Sequence, residues 1–229
     1  MFCDLRQKIS EDILQNLIKP LHYKGIGVAS AVISEKDTEG RISVIRCMEN
    51  MLKSFESRSG NLIGVYGPLY AVKKSNIVKI PDEIILEDLY LSLSVLKNNH
   101  VVLCSECVIV DLSFEKIYNY KRVRRYVQGL LQLAFKTPIN SRLGTTRMIM
   151  LLWHKYLRLF LPMMITLSIL FSLILCLQNF QKEELIVIPA LAFLLPVLGI
   201  ISSAVRTVYK VFVYYLIAPI DCIISPKNK

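Results

Sequence analysis

In the run "IPDEIILEDLYLSLSVLKNNH" (80–100), two adjacent carboxylates, Glu87 and Asp88, interrupt the apolar, helix-forming stretch at 84–96. Each charge repels its neighbour, which makes either acid a stronger base toward a hydroxyl proton. Pro81 shortly precedes the pair and places it at a helix start, where the backbone dipole is positive. A solvated pair of helix-start acids would look the same in sequence. A second group is "RVRRYVQGLLQ" (122–132). Arg122 and Arg125 share one helical face there, with Gln132 two turns beyond Arg125. Planar guanidinium forks grip two phosphate oxygens at once, although a membrane-facing basic surface uses the same residues. Asp4 in "FCDLRQ" suits a hard divalent cation or a strand-end turn.

These residues need a scaffold, and the first 115 residues read as alternating helices and short strands. "SEDILQNLIKPL" (10–21) opens with Ser10 as N-cap and sets Ile13, Leu14, Leu17 and Ile18 on one face. "GIGVASAVI" (25–33) and "HVVLCSECVIVDL" (100–112) read as strands. "RISVIRCMENMLKSFESRSG" (41–60) is an amphipathic helix with Ile42, Ile45, Met48, Leu52 and Phe55 along one stripe, stopped by Gly60. In "NLIGVYGPLYAVKK" (61–74), glycines and Pro68 break two apolar runs, which fits a turn beside a ligand. Tyr66 and Tyr70 stand there as ring-stacking groups or as ordinary core aromatics. "CSEC" (104–107) has the spacing of a metal knuckle or redox pair, but no second pair completes four ligands. Inside a strand its cysteines serve as small apolar residues. The alternation implies an α/β layer fold with an exposed sheet edge.

Beyond about residue 150 the pattern changes, and with it the mean hydropathy of +0.45 finds its source. "LFLPMMITLSILFSLILCL" (159–177) and "LIVIPALAFLLPVLGIISSAV" (185–205) carry no charge and are long enough to span a bilayer. "VYKVFVYYLIAPIDCII" (208–224) is shorter, with Lys210 and Asp221, and reads as a third span or an interfacial helix. Between Lys116 and Arg158 there are ten Lys or Arg and no acid, equal to the chain's net charge of +10. A basic run abutting apolar spans matches anionic lipid headgroups, so membrane lipids are expected as a partner and nucleic acid is not. The same rule puts the N-terminal region on the cytoplasmic side of a multi-pass protein of the cell's inner membrane. Uncharged spans argue against a transporter. The expected organisation is a catalytic domain at 1–115, amphipathic interfacial helices at 116–157 and a membrane region at 158–229.

Taken in order, these motifs resemble the second half of membrane-integrated family 2 glycosyltransferases, the group with cellulose, chitin and hyaluronan synthases. "FCDLRQ" resembles an "FxDARQ" variant of the Asp-x-Asp nucleotide-sugar motif, and "ENMLKSFESRSGNLIGVYGPLYAVKK" a Glu-rich helix followed by "GxxGxxYAxRR". "LEDLYLSL" resembles the family's acid pair, "RVRRYVQGLLQ" its "RxxRxxxGxxQ", and "WHKYLRLFLP" its "SHKxxRxxxP" entry to a C-terminal span. The resemblance covers about Phe2 to Pro162. It implies a partial GT-A-like nucleotide-diphospho-sugar transferase fold followed by interfacial and transmembrane helices. It further implies inverting transfer of a sugar from a nucleotide-sugar donor to a glycan or lipid-linked acceptor at the cytoplasmic leaflet. Asp88, beside Glu87, would be the general base. Asp4 would hold Mg²⁺ or Mn²⁺, while Arg122, Arg125, Gln132, Gly67, Tyr66 and Tyr70 would bind substrate. Two departures stand out. The family's N-terminal nucleotide-binding half has no counterpart here, and Arg6 replaces the second acid of the Asp-x-Asp motif. A separate polypeptide supplying that half is one expectation; a catalytically inactive remnant or accessory membrane subunit is the other.

Overall fold

The computed structural model describes residues 1–3, 9–36, 44–112, 119–135, 143–179 and 203–224. They fall into two compact units, Met1–Ile117 with Gly129–His154, and Tyr118–Gln128 with Lys155–Asn228. The first unit contains strands β1 (Phe2–Cys3), β2 (Ile26–Lys36), β3 (Leu69–Val72) and β4 (His100–Leu112). Its helices are α1 (Glu11–Ile18), α2 (Val44–Arg58) and α3 (Glu87–Val95), followed after α4 (Tyr120–Phe135) by α5 (Thr145–Leu151). The second contains α6 (Arg158–Asn179) and α7 (Ser203–Ile224), and α4 runs from one unit into the other.

The sheet has the order β1-β3-β2-β4. β3 is antiparallel to both neighbours, and β2 and β4 are parallel, so the sheet is mixed. Along β2 the side chains alternate. Ala29 and Ala31 join Leu17, Leu69, Ala71, Cys104, Cys107 and Ile109 in a core, and Ile9, Ile13 and Leu21 pack against it from the α1 side. Of the apolar face read for α1, Leu17 is buried and Ile13 packs against the core, while Ile18 is exposed. Ser10 does occupy the N-cap position, but its side chain makes no capping bond.

Two elements depart from expectation. Neighbouring residues Ala31 and Val32 of β2 pair with Cys104 and Val108, so Ser105, Glu106 and Cys107 form a bulge in β4. The bulge brings the two buried thiols together, with Sγ atoms 2.7 Å apart. Cys104 and Cys107 each donate to a carbonyl of α1, those of Asn16 and Ile13, at 3.5 Å. Burial, the neighbouring Cys104 thiol and the Glu106 charge push the Cys107 thiol well above its ordinary value. These cysteines are thus packed, hydrogen-bonded core groups.

Helix α2 is turned the other way from an ordinary core helix. Met48, Met51, Leu52 and Phe55 are exposed, Met51 and Phe55 at 72%, whereas Lys53 and Glu56 are buried. Its stripe is real but faces outward; Ile42 and the Ile45 side chain lie outside the described residues. The helix ends as expected: Gly60 adopts φ +69°, which an L side chain resists, and its N–H caps the Ser57 carbonyl at 2.9 Å.

In the second unit, Asp221 of α7 pairs with Arg124 Nε at 2.5 Å and accepts from the Tyr120 hydroxyl at 2.8 Å. An acid within an apolar run is thereby neutralised by α4. The expected span 159–177 falls on α6 and 208–224 on α7, while 185–205 lies almost wholly outside the described residues. Among the described residues no single helix is long and apolar enough to cross a membrane. Thr145–Leu157 and Leu159–Ser168 are so only when taken together.

Candidate functional site

The acid pair opens α3, as its sequence position requires. Glu87 is exposed and Asp88 half-buried. Asp88 Oδ1 accepts from the backbone N–H of Leu89 at 2.8 Å, which leaves Oδ2 directed at Gly67. A Cβ added to Gly67 would stand 3.2 Å from that oxygen, a tight contact that the Asp88 side chain would have to yield to.

A relay of hydroxyls fixes the loop opposite the pair. Ser30 of β2 accepts from Tyr66 N–H at 2.8 Å. Ser92 of α3 accepts from Val65 N–H at 3.2 Å and donates to the Asp88 carbonyl at 2.6 Å. Both serines are fully buried. The relay joins β2, the segment 65–67 and the first turn of α3, and so sets the distance between Gly67 and Asp88. Buried hydroxyls with partners on both sides hold such a geometry tightly, because a lost partner would cost about 1–3 kcal/mol.

Tyr66 and Tyr70 are each only 5% exposed, and their rings already have neighbours. Lys53 Nζ lies 3.6 Å from the Tyr66 ring centroid and donates to the Gly64 carbonyl at 2.8 Å. The Tyr66 hydroxyl donates to Asn50 Oδ1 at 2.6 Å, and Arg46 lies 5.4 Å from the same ring centroid. Tyr70 stacks on Phe2 with centroids 4.9 Å apart. Both tyrosines are therefore packed aromatics beside the acids, and stacking on a substrate ring would require displacing these neighbours.

Burial first, then the charges of Asp88 and Glu87, push the Tyr70 phenol up to about 12 from an ordinary 10.0. The folded value lies above the unfolded one, so the protonated phenol stabilises the fold fully below pH 10. That stabilisation, on the order of 2 kcal/mol, disappears as the pH rises toward 12. Ultraviolet difference titration of the chain against Tyr70→Phe should reveal one tyrosine ionising near 12. Neutralising the pair with Glu87→Gln/Asp88→Asn should bring it down by the smaller part of the shift. An unchanged titration would mean that the acids do not face Tyr70.

Gln132, on the part of α4 within the first unit, meets the segment leading into α3. It accepts from Ile85 N–H at 3.1 Å and donates to the Glu83 carbonyl at 2.7 Å. The expected substrate-binding amide is thus engaged with backbone. Arg122 and Arg125 are exposed on α4 within the second unit. Asp4 lies outside the described residues. Cys3, just before it, ends the strand in which Phe2 pairs with Tyr70. Among the described residues no group of three or more His, Cys, Asp or Glu could hold a metal ion.

Two features escaped the sequence reading. The first is the cationic group Arg46 and Lys53, which with Asn50 forms the inward face of α2 at positions i, i+4 and i+7. The signal was a polar stripe, hidden because the apolar stripe was read as the buried one. The second is Glu56, 1% exposed, which accepts from Ile63 N–H at 3.1 Å and pairs with His154. His154 lies in a π-helical turn, Leu152–Leu157, that follows α5.

No protein-family model matches the chain, and no curated protein matches it. Among solved structures, the chain is similar to the mannosyltransferase PcManGT from Pyrobaculum calidifontis, determined in complex with GDP-Man and Mn²⁺. The match has a TM-score of 0.65 and 17% identity, over 95% of this chain and 59% of that one. The chain thus spans about three fifths of the length of its structural relative, and over that span it has a glycosyltransferase-like α/β fold of the GT-A type.

Proposed function

We propose that the chain is the acceptor-side part of an inverting glycosyltransferase, moving a sugar from a nucleotide-sugar donor to a glycan or lipid-linked acceptor. The observation that carries this reading is Asp88 Oδ2 aimed across Gly67, at a helix start on a GT-A-like fold. Asp88 takes the proton of the acceptor hydroxyl as its oxygen attacks C1 of the donor sugar. The nucleoside diphosphate leaves from the opposite face, and the configuration at C1 inverts. Glu87 keeps negative charge beside the base. The bare Gly67 leaves room for the hydroxyl. Arg122 and Arg125 have the chemistry to neutralise a departing diphosphate. A divalent ion on Asp4 would serve the same end, as the Mn²⁺ and GDP-Man bound to the structural relative illustrate.

The reading includes a membrane surface, with the catalytic region on the cytoplasmic side. Its support is the basic run from Lys116 to Arg158 together with the outward apolar face of α2. Exposed Ile149, Leu152 and Trp153 add to it. His154, next to Trp153, pairs with Glu56, next to Phe55, so these apolar side chains lie on neighbouring elements. Trp153 is the chain's single tryptophan, which makes its fluorescence specific to this surface. In anionic vesicles its emission should shift to the blue and be quenched by nitroxides near the headgroups. Quenching by aqueous iodide as complete as that of free indole would contradict membrane contact. The function itself is tested by incorporation of labelled sugar from UDP- and GDP-sugars into membranes containing the chain. No incorporation above membranes lacking the chain, either alone or with a polypeptide supplying the nucleotide-binding half, would refute it.

A further inference from the structure

The start of α3 has no side chain of its own to cap it. Its N-cap position is Leu86, at φ −106° and ψ 75°, and no side-chain capping bond is made. The direction in which Glu87 and Asp88 leave the helix start therefore depends on what holds the chain just before them.

That chain is gripped by α4. Gln132 uses its carbonyl on Ile85 N–H and its amino group on the Glu83 carbonyl. The two bonds together admit one amide orientation, because a flipped amide would face donor to donor and acceptor to acceptor. One helical turn earlier, Gly129 lets the segment approach closely. A Cβ at Gly129 would stand 2.4 Å from Leu86 Cγ and 3.3 Å from Ile85 Cβ. Ile84 and Ile85 are buried, so the segment is anchored by packing as well.

We propose that Gly129 and Gln132 are positioning residues that fix segment 83–86 and thereby aim the carboxylate of Asp88, with the Gln132 amide making no contact to substrate. The proposal rests on Asp88 being the base. It gives the spacing of Gly129 and Gln132 a physical meaning: from successive turns of one helix, Gly129 meets the side chains and Gln132 the backbone of the same segment. A base displaced by about 1 Å loses roughly 10²-fold in rate without losing substrate affinity.

The test uses the full chain with variants Gln132→Ala, Gly129→Ala, Leu86→Ala and Gly129→Ala/Leu86→Ala. Gln132→Ala should lower kcat roughly 10²-fold. KM for donor and acceptor should stay within about threefold, since no ground-state contact is removed. Amide exchange at Ile85 should speed up roughly tenfold on losing its acceptor. Gly129→Ala should lower kcat similarly, and in the double variant, where Leu86 Cγ is gone, most of that loss should be recovered. A raised KM with unchanged kcat in Gln132→Ala would show the amide binding substrate and overturn the proposal, as would no recovery in the double variant. If the wild-type chain transfers no sugar even with a polypeptide supplying the nucleotide-binding half, the reading of Asp88 fails on its own. Exchange at Ile85 then still decides on the clamp, and an unchanged rate in Gln132→Ala would overturn it.

Discussion

Asp88→Asn is expected to lower sugar transfer roughly 10³-fold, within the range a general base contributes, while leaving the thermal midpoint and membrane association unchanged. The amide is nearly isosteric with the carboxylate. Its oxygen can still accept from Leu89 N–H, the 2.8 Å contact that settles the side chain at the helix start. The hydroxyl relay through Ser92 ends on the backbone carbonyl of Asp88 and does not involve the side chain at all. What disappears is the capacity of Oδ2 to take a proton opposite Gly67. Glu87→Gln should cost far less, about tenfold, because that residue is exposed and acts on the base through its neighbouring charge. Initial rates with labelled donor check both. Near-normal turnover by Asp88→Asn would remove Asp88 from the chemistry, and a collapse of Glu87→Gln alone would exchange the two roles.

The second large effect concerns stability. Glu56 is 1% exposed and holds two elements at once, accepting from Ile63 N–H at 3.1 Å and pairing with His154. Glu56→Ala leaves a buried N–H without its acceptor and His154 without its partner, a loss of about 2–3 kcal/mol. For a domain of this size that corresponds to a thermal midpoint lower by about 10 °C. Glu56→Gln keeps a neutral acceptor for Ile63 and should lose about a third as much. Thermal unfolding followed by circular dichroism distinguishes them. Equal midpoints for Glu56→Ala and the unaltered chain would mean that the carboxylate is solvated and unpaired in solution.

Glu56 also shows why the site was only partly legible. The acid pair announced itself because two adjacent charges in the apolar run 84–96 are visible without any neighbour. Glu56, Lys53 and Arg46 did not, since charges on an amphipathic helix are read by default as its solvated face. The Gln132 amide was legible as a functional group but not as a clamp, because its partners, Glu83 and Ile85, are 49 and 47 residues away in the chain. Tyr66 and Tyr70 were legible as candidates to stack on a substrate ring, but their rings are covered by Lys53 and Phe2.

The sequence by itself determined the local elements. Strands 26–36 and 100–112, the helices carrying Leu17 and Asp88, and the stop at Gly60 all follow from spacing, side-chain branching and backbone freedom, which act over a few residues. Only the tertiary structure decided which face of α2 is buried, that Ser105–Cys107 bulge from β4, and that Gly129 lies against Leu86. The reason is the same in each case. Periodicity shows that a helix has two unlike faces, but which face leaves water depends on the surface brought up against it from elsewhere in the chain.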